Sequence, residues 1–163
     1  MELVITGFAG ESGSRLIYSD KESKKKLLER YPKSFFAVFE EDIPGDPASD
    51  PAAFTLAPAN APDSEDASEG GVFGALWRLL KRNGKGAEFS QRAIPVRQQT
   101  IEICEMFSLD PYRLEAAGCR AWLVSDMGAF LKEHPDAFVI GHTVKGNAIK
   151  RTDGETEAYL RKS

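Results

Sequence analysis

The feature that most constrains this chain is a pair of glycines placed directly before a strongly apolar helix pattern, in the stretch DASEGGVFGAL. Gly70 and Gly71 allow positive φ values, or a close approach of backbone, that a side chain would forbid. Asp66 or Ser68 can cap the helix that follows. The free amides of its first turn, at Val72 and beyond, would then lie beside a glycine hinge, which is an arrangement that binds phosphate.

Two structures fit this stretch when its residues are considered alone. One is a phosphate or anion cradle, and the other is a tight turn that packs a helix onto a sheet. A double glycine before a helix is a weak signal on its own, so the residues by themselves favour the packing turn.

Composition indicates a single globular domain over residues 1–163 with a substantial core, since 42% of the residues are apolar and 28% are charged. The net charge of −4 argues against binding to nucleic acid or to an anionic membrane, because such proteins usually carry a basic excess. No apolar run approaches the roughly 18 residues of a membrane span. Cys104 and Cys119 form neither a metal spacing nor a disulfide framework, which predicts reduced thiols in a cytoplasmic protein.

Periodicity predicts an α+β fold whose C-terminal third is mainly antiparallel. The clearest helix is expected over 72–82, and a capping box at Ser19 and Glu22 predicts another that ends near Tyr31. The glycine-rich segment 8–14 is expected to be a flexible connection from strand to helix. Further strands are predicted at 2–7, 87–89, 119–124, 137–142, 147–152 and 156–160, and further helices after Ser34, at 94–97 and onward, and at 126–132.

A change of composition marks residues 42–66, where five prolines lie among alanines, aspartates and serines. This pattern predicts a loop or linker, with residues 54–56 as its only apolar anchor. A loop of this length inside a compact domain is uncommon, so it is expected to be either a mobile lid beside the glycine pair or a degraded segment.

The acidic residues Asp63, Glu65, Asp66 and Glu69 cluster before and inside the glycine turn. They can hold a divalent cation that accompanies a nucleotide phosphate, but a solvated acidic loop is the favoured interpretation. Arg97 is the best candidate for pairing with a bound anion. No group of histidines, cysteines and carboxylates has the spacing of a metal site, and no nucleophile elbow is present, so no catalytic residue is assigned.

Several stretches taken together resemble the C-terminal half of the superfamily that includes aminoimidazole ribonucleotide (AIR) synthetase. The similarity is greatest to the AIR synthase-related branch, which also contains the hydrogenase maturation factor that dehydrates a thiocarbamate. The stretches that carry the resemblance, in chain order, are TGFAGESG at 6–13, DASEGGVFGAL at 66–76, IPVR at 94–97, LDPY at 109–112 and VIG at 139–141.

The resemblance implies a three-layer α/β/α domain with a mixed, largely antiparallel sheet, related in part to the ferredoxin-like arrangement. In these enzymes the loop and helix start that correspond to Ser68, Gly70, Gly71 and Val72 lie at a cleft between two domains, near a phosphate-bearing ligand. With this resemblance, an ancestral phosphate-binding role becomes the better account of the glycine pair.

The chain also departs from the family pattern. Family enzymes carry a first domain that supplies most of the ATP and magnesium site, whereas Met1 here lies at the first strand after that domain. The maturation factor ends in a cysteine that takes the carbamoyl group, and it has an Asn-Glu-Gly run where this chain has Ala116-Ala117-Gly118. The apolar strand that usually leads into the glycine motif is expected to be replaced by residues 57–62.

These features predict a stand-alone AIR synthase-related C-terminal domain that is not a complete catalyst. The ligand implied is ATP or phosphate with Mg²⁺, held at the glycine loop, and the implied partner is a separate protein that supplies the ATP-binding domain. Two alternatives stay open: a protein-interaction or regulatory module, which includes self-association, and one half of a split ATP-dependent enzyme.

Overall fold

The computed structural model describes residues 1–40 and 63–162, and the predictions for residues 42–62, including a short strand at 54–56, lie outside this part. Its strands are β1 (Glu2–Thr6), β2 (Asp63–Ala67), β3 (Gly86–Ser90), β4 (Ala116–Val124), β5 (Phe138–Val144), β6 (Ile149–Asp153) and β7 (Thr156–Tyr159). Its helices are α1 (Glu11–Ser19), α2 (Lys21–Arg30), α3 (Ala37–Glu40), α4 (Gly71–Arg82), α5 (Gln98–Met106) and α6 (Met127–Glu133), with short 3₁₀ turns at Lys33–Phe36 and Gln91–Ala93. No helix in these ranges is long and apolar enough to cross a membrane.

The seven strands form one sheet in the order β2-β4-β1-β5-β3-β6-β7. All neighbouring pairs are antiparallel except β3 and β6, which are parallel. The predicted α+β class, with a mixed and largely antiparallel sheet, is therefore confirmed. Because β1 and β2 are both antiparallel to β4, they run parallel to each other. The helices that follow these two strands therefore begin at the same end of the sheet.

Alternating side chains of the strands cover both faces of the sheet, as the strand period of two requires. On one face Leu3 and Ile5 join the main core, which also contains the buried side of α4. On the other face Val4 and Trp122 pack with Phe130 of α6. The sheet thus lies between two helical layers, which is the three-layer arrangement that the resemblance implied.

Helix α4 matches its prediction to within one residue, because its apolar positions recur at helical spacing. Val72, Leu76, Leu79 and Leu80 are all fully buried against the sheet. Burial of this continuous stripe fixes the direction of α4, and therefore the place of the glycine turn from which it starts.

Helix α1 corrects the prediction of a flexible connection over 8–14. The chain enters α1 through Gly10 at φ +66 and is helical from Glu11 onward. A Cβ atom at Gly13 would lie 2.5 Å from the Leu114 side chain, so α1 requires glycine at this position. Glycine has a low helix propensity, and its presence makes the segment hard to predict as a helix. Tyr18 at its far end joins a separate aromatic cluster with Leu27 and others.

Strand β2 corrects the prediction that the loop extends to residue 66 and that no strand leads into the glycine turn. Residues Asp63–Ala67 pair with β4 as the terminal strand of the described sheet. Its carboxylates are neutralised by α4, since Arg82 donates to Asp63 over 2.9 Å and to Glu65 over 2.6 Å. A polar strand is stable here because a neighbouring helix supplies the opposite charges.

Helix starts follow the predictions in part. Asp126 caps α6 as expected, accepting a hydrogen bond from the Ala129 amide at 3.1 Å. Helix α2 is capped by Asp20, which accepts from Ser23 N, and not by the hydroxyl of Ser19. Helix α5 begins at Gln98, after the segment 94–97, so that segment is an extended approach and not the first turn.

Candidate functional site

The glycine turn lies between the end of β2 and the start of α4, beside the first half of β4. Gly70 is the residue that caps α4, with φ +71, and Gly71 follows with φ +66. No side chain caps the helix, so the expectation that Asp66 or Ser68 would do so is wrong. A left-handed glycine makes the sharp entry into the helix in place of a capping side chain.

Asp66 stabilises the turn itself. One carboxylate oxygen accepts from the Ser68 amide at 2.8 Å, and the other accepts from the Gly118 amide of β4 at 3.1 Å. Arg120 lies close to the second oxygen, at 3.8 Å. The side chain therefore joins the turn to β4, and both of its oxygens already have donors.

Gly71 is required by close packing. A Cβ atom at this position would come within 2.6 Å of Tyr112 O and 2.7 Å of Leu114 O. The amide of Phe73 in the same helical turn donates to Tyr112 O at 3.0 Å. At Gly71 the turn therefore has the geometry of the packing alternative, because the loop at 112–114 presents carbonyl oxygens to it, and carbonyl oxygens repel an anion.

Gly70 has a different environment, and it is here that the turn is accessible. Ser68, Glu69 and Gly70 are all exposed. A Cβ atom at Gly70 would meet only Gly74 Cα at 3.4 Å and the guanidinium nitrogen Nη1 of Arg78 at 3.7 Å. An anion that approached the turn from this side would meet a positive side chain and the N-terminal end of α4 together.

Arg78 is the site residue that sequence reasoning missed. Its guanidinium donates to Glu65 at 3.0 Å and to the main-chain oxygen of Asp66 at 3.2 Å, which holds it against the turn. A signal for it was present, because Gly70, Gly74 and Arg78 are spaced by four and so share one helix face.

The acidic residues of β2 do not form a cation site. Among residues 1–40 and 63–162, no group of three or more histidines, cysteines or carboxylates is arranged to hold a metal ion. Hydrogen bonds from Arg82, and then from Asn83, hold the pKa of Asp63 below its usual value. Burial alone would raise the pKa of Glu65, but donation from Arg82 and Arg78 lowers it overall. These carboxylates therefore stay charged as partners of the arginines.

Arg97 is the residue directly before α5, and its side chain contacts the start of α1. Its Nε donates to both oxygens of Glu11, at 2.8 and 3.0 Å, and its guanidinium lies 4.1 Å from the centroid of the Phe8 ring. Glu11 is only 1% exposed. Arg97 thus pairs with a buried carboxylate of the protein, and no local pattern indicates this pairing because the two residues are 86 positions apart.

Both thiols are free and buried. Burial, with a smaller contribution from Asp110, raises the pKa of Cys104 to about 11, and burial also raises the pKa of Cys119. Neither cysteine has the low thiol pKa of a nucleophile, so the described residues offer no thiol chemistry at this site.

Comparison with known proteins identifies what this fold is similar to. The family model described as AIR synthase related protein, C-terminal domain, matches residues 23–154. The hydrogenase expression/formation protein HupE of Azotobacter chroococcum mcd 1 is 31% identical over 87 residues, which are 48% of this chain and 26% of that protein. The carbamoyl dehydratase HypE of Azotobacter vinelandii aligns with the same identity and coverage.

Solved structures agree in fold. E. coli HypE, a hydrogenase maturation protein, superposes with a TM-score of 0.67 and 19% identity, over 99% of this chain and 49% of that one. HypE in complex with ATP gives a TM-score of 0.68 at 16% identity, over 98% and 50% of the two chains. A thiamine monophosphate kinase from Aquifex aeolicus gives 0.57 at 17% identity, over 96% and 51%. The chain spans about half the length of each of these structures.

Proposed function

This chain belongs to the AIR synthase-related proteins, by their C-terminal domain, and on that premise we propose that it is one half of an ATP-dependent assembly and is not a catalyst alone. The main support is that a domain of this fold makes up about half of each similar structure. A partner ATP-binding domain would supply the remainder, and catalytic groups would come from that domain or from its interface with this one.

The accessible side of the glycine turn is our proposed phosphate site. Of Ser68, Gly70, Gly71 and Val72, it is Gly70 that would contribute accessible backbone, since the Ser68 amide already donates to Asp66 and Gly71 and Val72 are buried. The observation that carries this assignment is the Arg78 guanidinium fixed beside Gly70 and Gly74. A helix N-terminus with an adjacent arginine attracts a phosphate group through the peptide dipoles and through the guanidinium N–H groups that Glu65 and Asp66 do not engage.

The proposed ligand is ATP or phosphate, with Mg²⁺ as the ion that a nucleotide would bring. Similar structures named HypE and AaThiL contain ATP and AMPPCP respectively, which is a property of those proteins. Asp66 would act by shaping the turn through Ser68 and Gly118, since its oxygens are engaged there. Glu69, which is exposed, is the carboxylate on this turn that remains accessible to a hydrated Mg²⁺.

Isothermal titration tests the phosphate site, with ATP, ADP and inorganic phosphate as probes, each with and without Mg²⁺. Arg78→Gln should weaken binding at least fivefold, because one charge-assisted hydrogen bond is lost. Arg92→Gln is the matched control. Arg92 is an exposed arginine paired with Asp153, so this substitution removes the same charge at a different place on the surface. Absence of binding with every probe, or equal effects of both variants, would refute the assignment.

A native pull-down tests the partner. Recovery of a protein with an ATP-binding domain supports an assembly of two halves, and the ligand titrations should then be repeated on the complex. One similar structure is a complex of HypE with HypF, which shows that a relative of this fold assembles with another protein. If the chain is recovered alone under conditions that preserve complexes, the two-half assembly is wrong.

The alternative of an interaction or regulatory module has one specific observation in its favour. Phe138 and Val139, adjacent in β5, are 48% and 45% exposed, and Leu131 of α6 is 40% exposed. Exposed apolar groups of this kind are commonly buried by another protein. Light scattering separates the possibilities: a dimer without bound nucleotide would favour self-association, and a clean monomer would count against it.

We propose the cytoplasm as the compartment, where the two free thiols stay reduced.

A further inference from the structure

A cavity of about 380 Å³ lies beside the first turn of α4. Its wall at the helix is Phe73, the loop before β4 contributes Asp110 and Arg113, β6 contributes Arg151, and the chain from β7 onward contributes Tyr159 and Arg161. Its volume is within the range of roughly 300–1,000 Å³ that is typical of small-molecule sites. None of the residues proposed for the glycine-turn phosphate site lines it.

Positive charge dominates this cavity, because three arginines line it and Asp110 is the one carboxylate among its lining residues. Arg113 donates to the main-chain oxygens of Arg161 and Lys162 at 2.8 and 3.0 Å. Arg151 donates to the Gln91 side-chain oxygen at 2.6 Å. These acceptors are all neutral, and among the described residues neither guanidinium forms an ion pair with a carboxylate, so the contacts orient the two groups without neutralising them.

Arg113 and Arg151 also both contact one aromatic ring. The guanidinium carbons of Arg113 and Arg151 each lie 5.3 Å from the centroid of Phe73. Phe73 is 2% exposed and stacks on Tyr112 with centroids 5.2 Å apart, so it is a rigid support. Two like charges on one ring repel each other, and an anion between them would relieve that repulsion.

A phosphate group suits these donors better than a simple carboxylate does. Each guanidinium has five N–H donors, of which Arg113 directs some to two oxygens and Arg151 to one. A phosphate monoester presents three strongly accepting oxygens and close to two negative charges. Beside the charged wall, Tyr159 is 65% exposed and offers a ring on which a flat organic group can stack.

We propose that this cavity binds a small organic phosphate, with the phosphate between Arg113 and Arg151 and the organic part toward Tyr159. Arg161, at the rim, adds attraction at longer range. This inference rests on residues other than those of the proposed glycine-turn site, so either site can fail without the other.

Titration with AMP and with ribose 5-phosphate tests the proposal, and uncharged adenosine serves as the ligand control. Arg151→Gln should weaken binding of both phosphates at least tenfold, Arg151→Lys should weaken it less, and Arg92→Gln should leave it unchanged. Thermal melts monitored by circular dichroism establish that each variant is folded. We avoid Arg113 as the test residue because it also holds the C-terminal segment.

Backbone amide shifts locate the bound ligand and separate the two sites. Saturating AMP should shift the resonances of Arg113, Arg151 and Leu160 in a nitrogen–proton correlation spectrum. Shifts confined to Ser68–Gly74, or binding that Arg78→Gln abolishes and Arg151→Gln does not affect, would assign the ligand to the glycine turn and overturn this proposal. No binding of either phosphate by the native chain would overturn it as well.

Discussion

Replacing Gly71 with alanine should destabilise the protein far more than the same substitution at another glycine of similar φ. At Gly71 the new methyl group would lie 2.6 Å from Tyr112 O and from Arg113 C, both of which are backbone atoms. Gly84, just beyond α4, provides the comparison, because its φ is +61 and a Cβ atom there would meet nothing within 4 Å.

The expected magnitude has two parts. A non-glycine residue at these positive φ values costs about 1–2 kcal/mol, which applies to both substitutions. Gly71→Ala additionally forces the loop at 112–114 away from the helix, and such overpacking typically costs about 1–3 kcal/mol. The total for Gly71→Ala is therefore about 2–5 kcal/mol, against about 1–2 kcal/mol for Gly84→Ala.

Urea denaturation, followed by tryptophan fluorescence, measures both losses. With a slope of about 2 kcal/mol per molar urea, the midpoint for Gly71→Ala should fall by about 1–2.5 M. The slope itself should not change. If the two variants unfold at the same midpoint, within about 0.5 kcal/mol in free energy, then the loop does not press on Gly71 and the packing account of this turn is wrong.

Three further predictions concern charges and thiols. The pKa of Asp63 is lowered below 3.8 in the folded state, so its contribution to stability should be present at neutral pH and be lost as the pH falls below about 4. Urea midpoints measured across this pH range should show the loss, and Arg82→Gln should make the midpoint less dependent on pH. Arg97→Gln should destabilise by about 2 kcal/mol or more, since it removes a partner of a buried carboxylate, yet leave phosphate affinity in calorimetry unchanged. Cys104 and Cys119 should react with a chromogenic disulfide at pH 8 only after urea is added, and rapid labelling of the native protein would contradict their burial.

Those parts of the fold that depend on local pattern could be predicted from the sequence. The apolar spacing from Val72 to Leu80 was sufficient to place α4, and the carboxylate of Asp126 was sufficient to start α6. Strands β3 to β7 were also found at nearly their observed positions, because alternating apolar residues and a turn at Asp153-Gly154 mark them. In each case the decisive residues are neighbours in the chain.

The errors arise where distant residues determine the local structure. Strand β2 can be polar because Arg82 and Arg78 of α4 supply its counter-charges. The residues of β2 themselves give no indication of this pairing. Helix α1 contains glycine where Leu114, about a hundred positions later, leaves no room for a side chain. The same reason explains why Arg97 pairs with Glu11. Arg78 is a different case, because its helical spacing from Gly70 is a local signal.

The loop before β4 has a consequence for how such chains can vary between species. Its backbone blocks a Cβ atom at Gly10 through Pro111 O, at 2.9 Å, and at Gly71 through Tyr112 O and its neighbours. A lineage that replaced one of these glycines would have to displace the loop, and a displaced loop would remove the steric part of the selection for glycine at the other position. Across homologous sequences the two glycines should therefore be inherited together or lost together, and the length of the loop should change in the lineages that lose them.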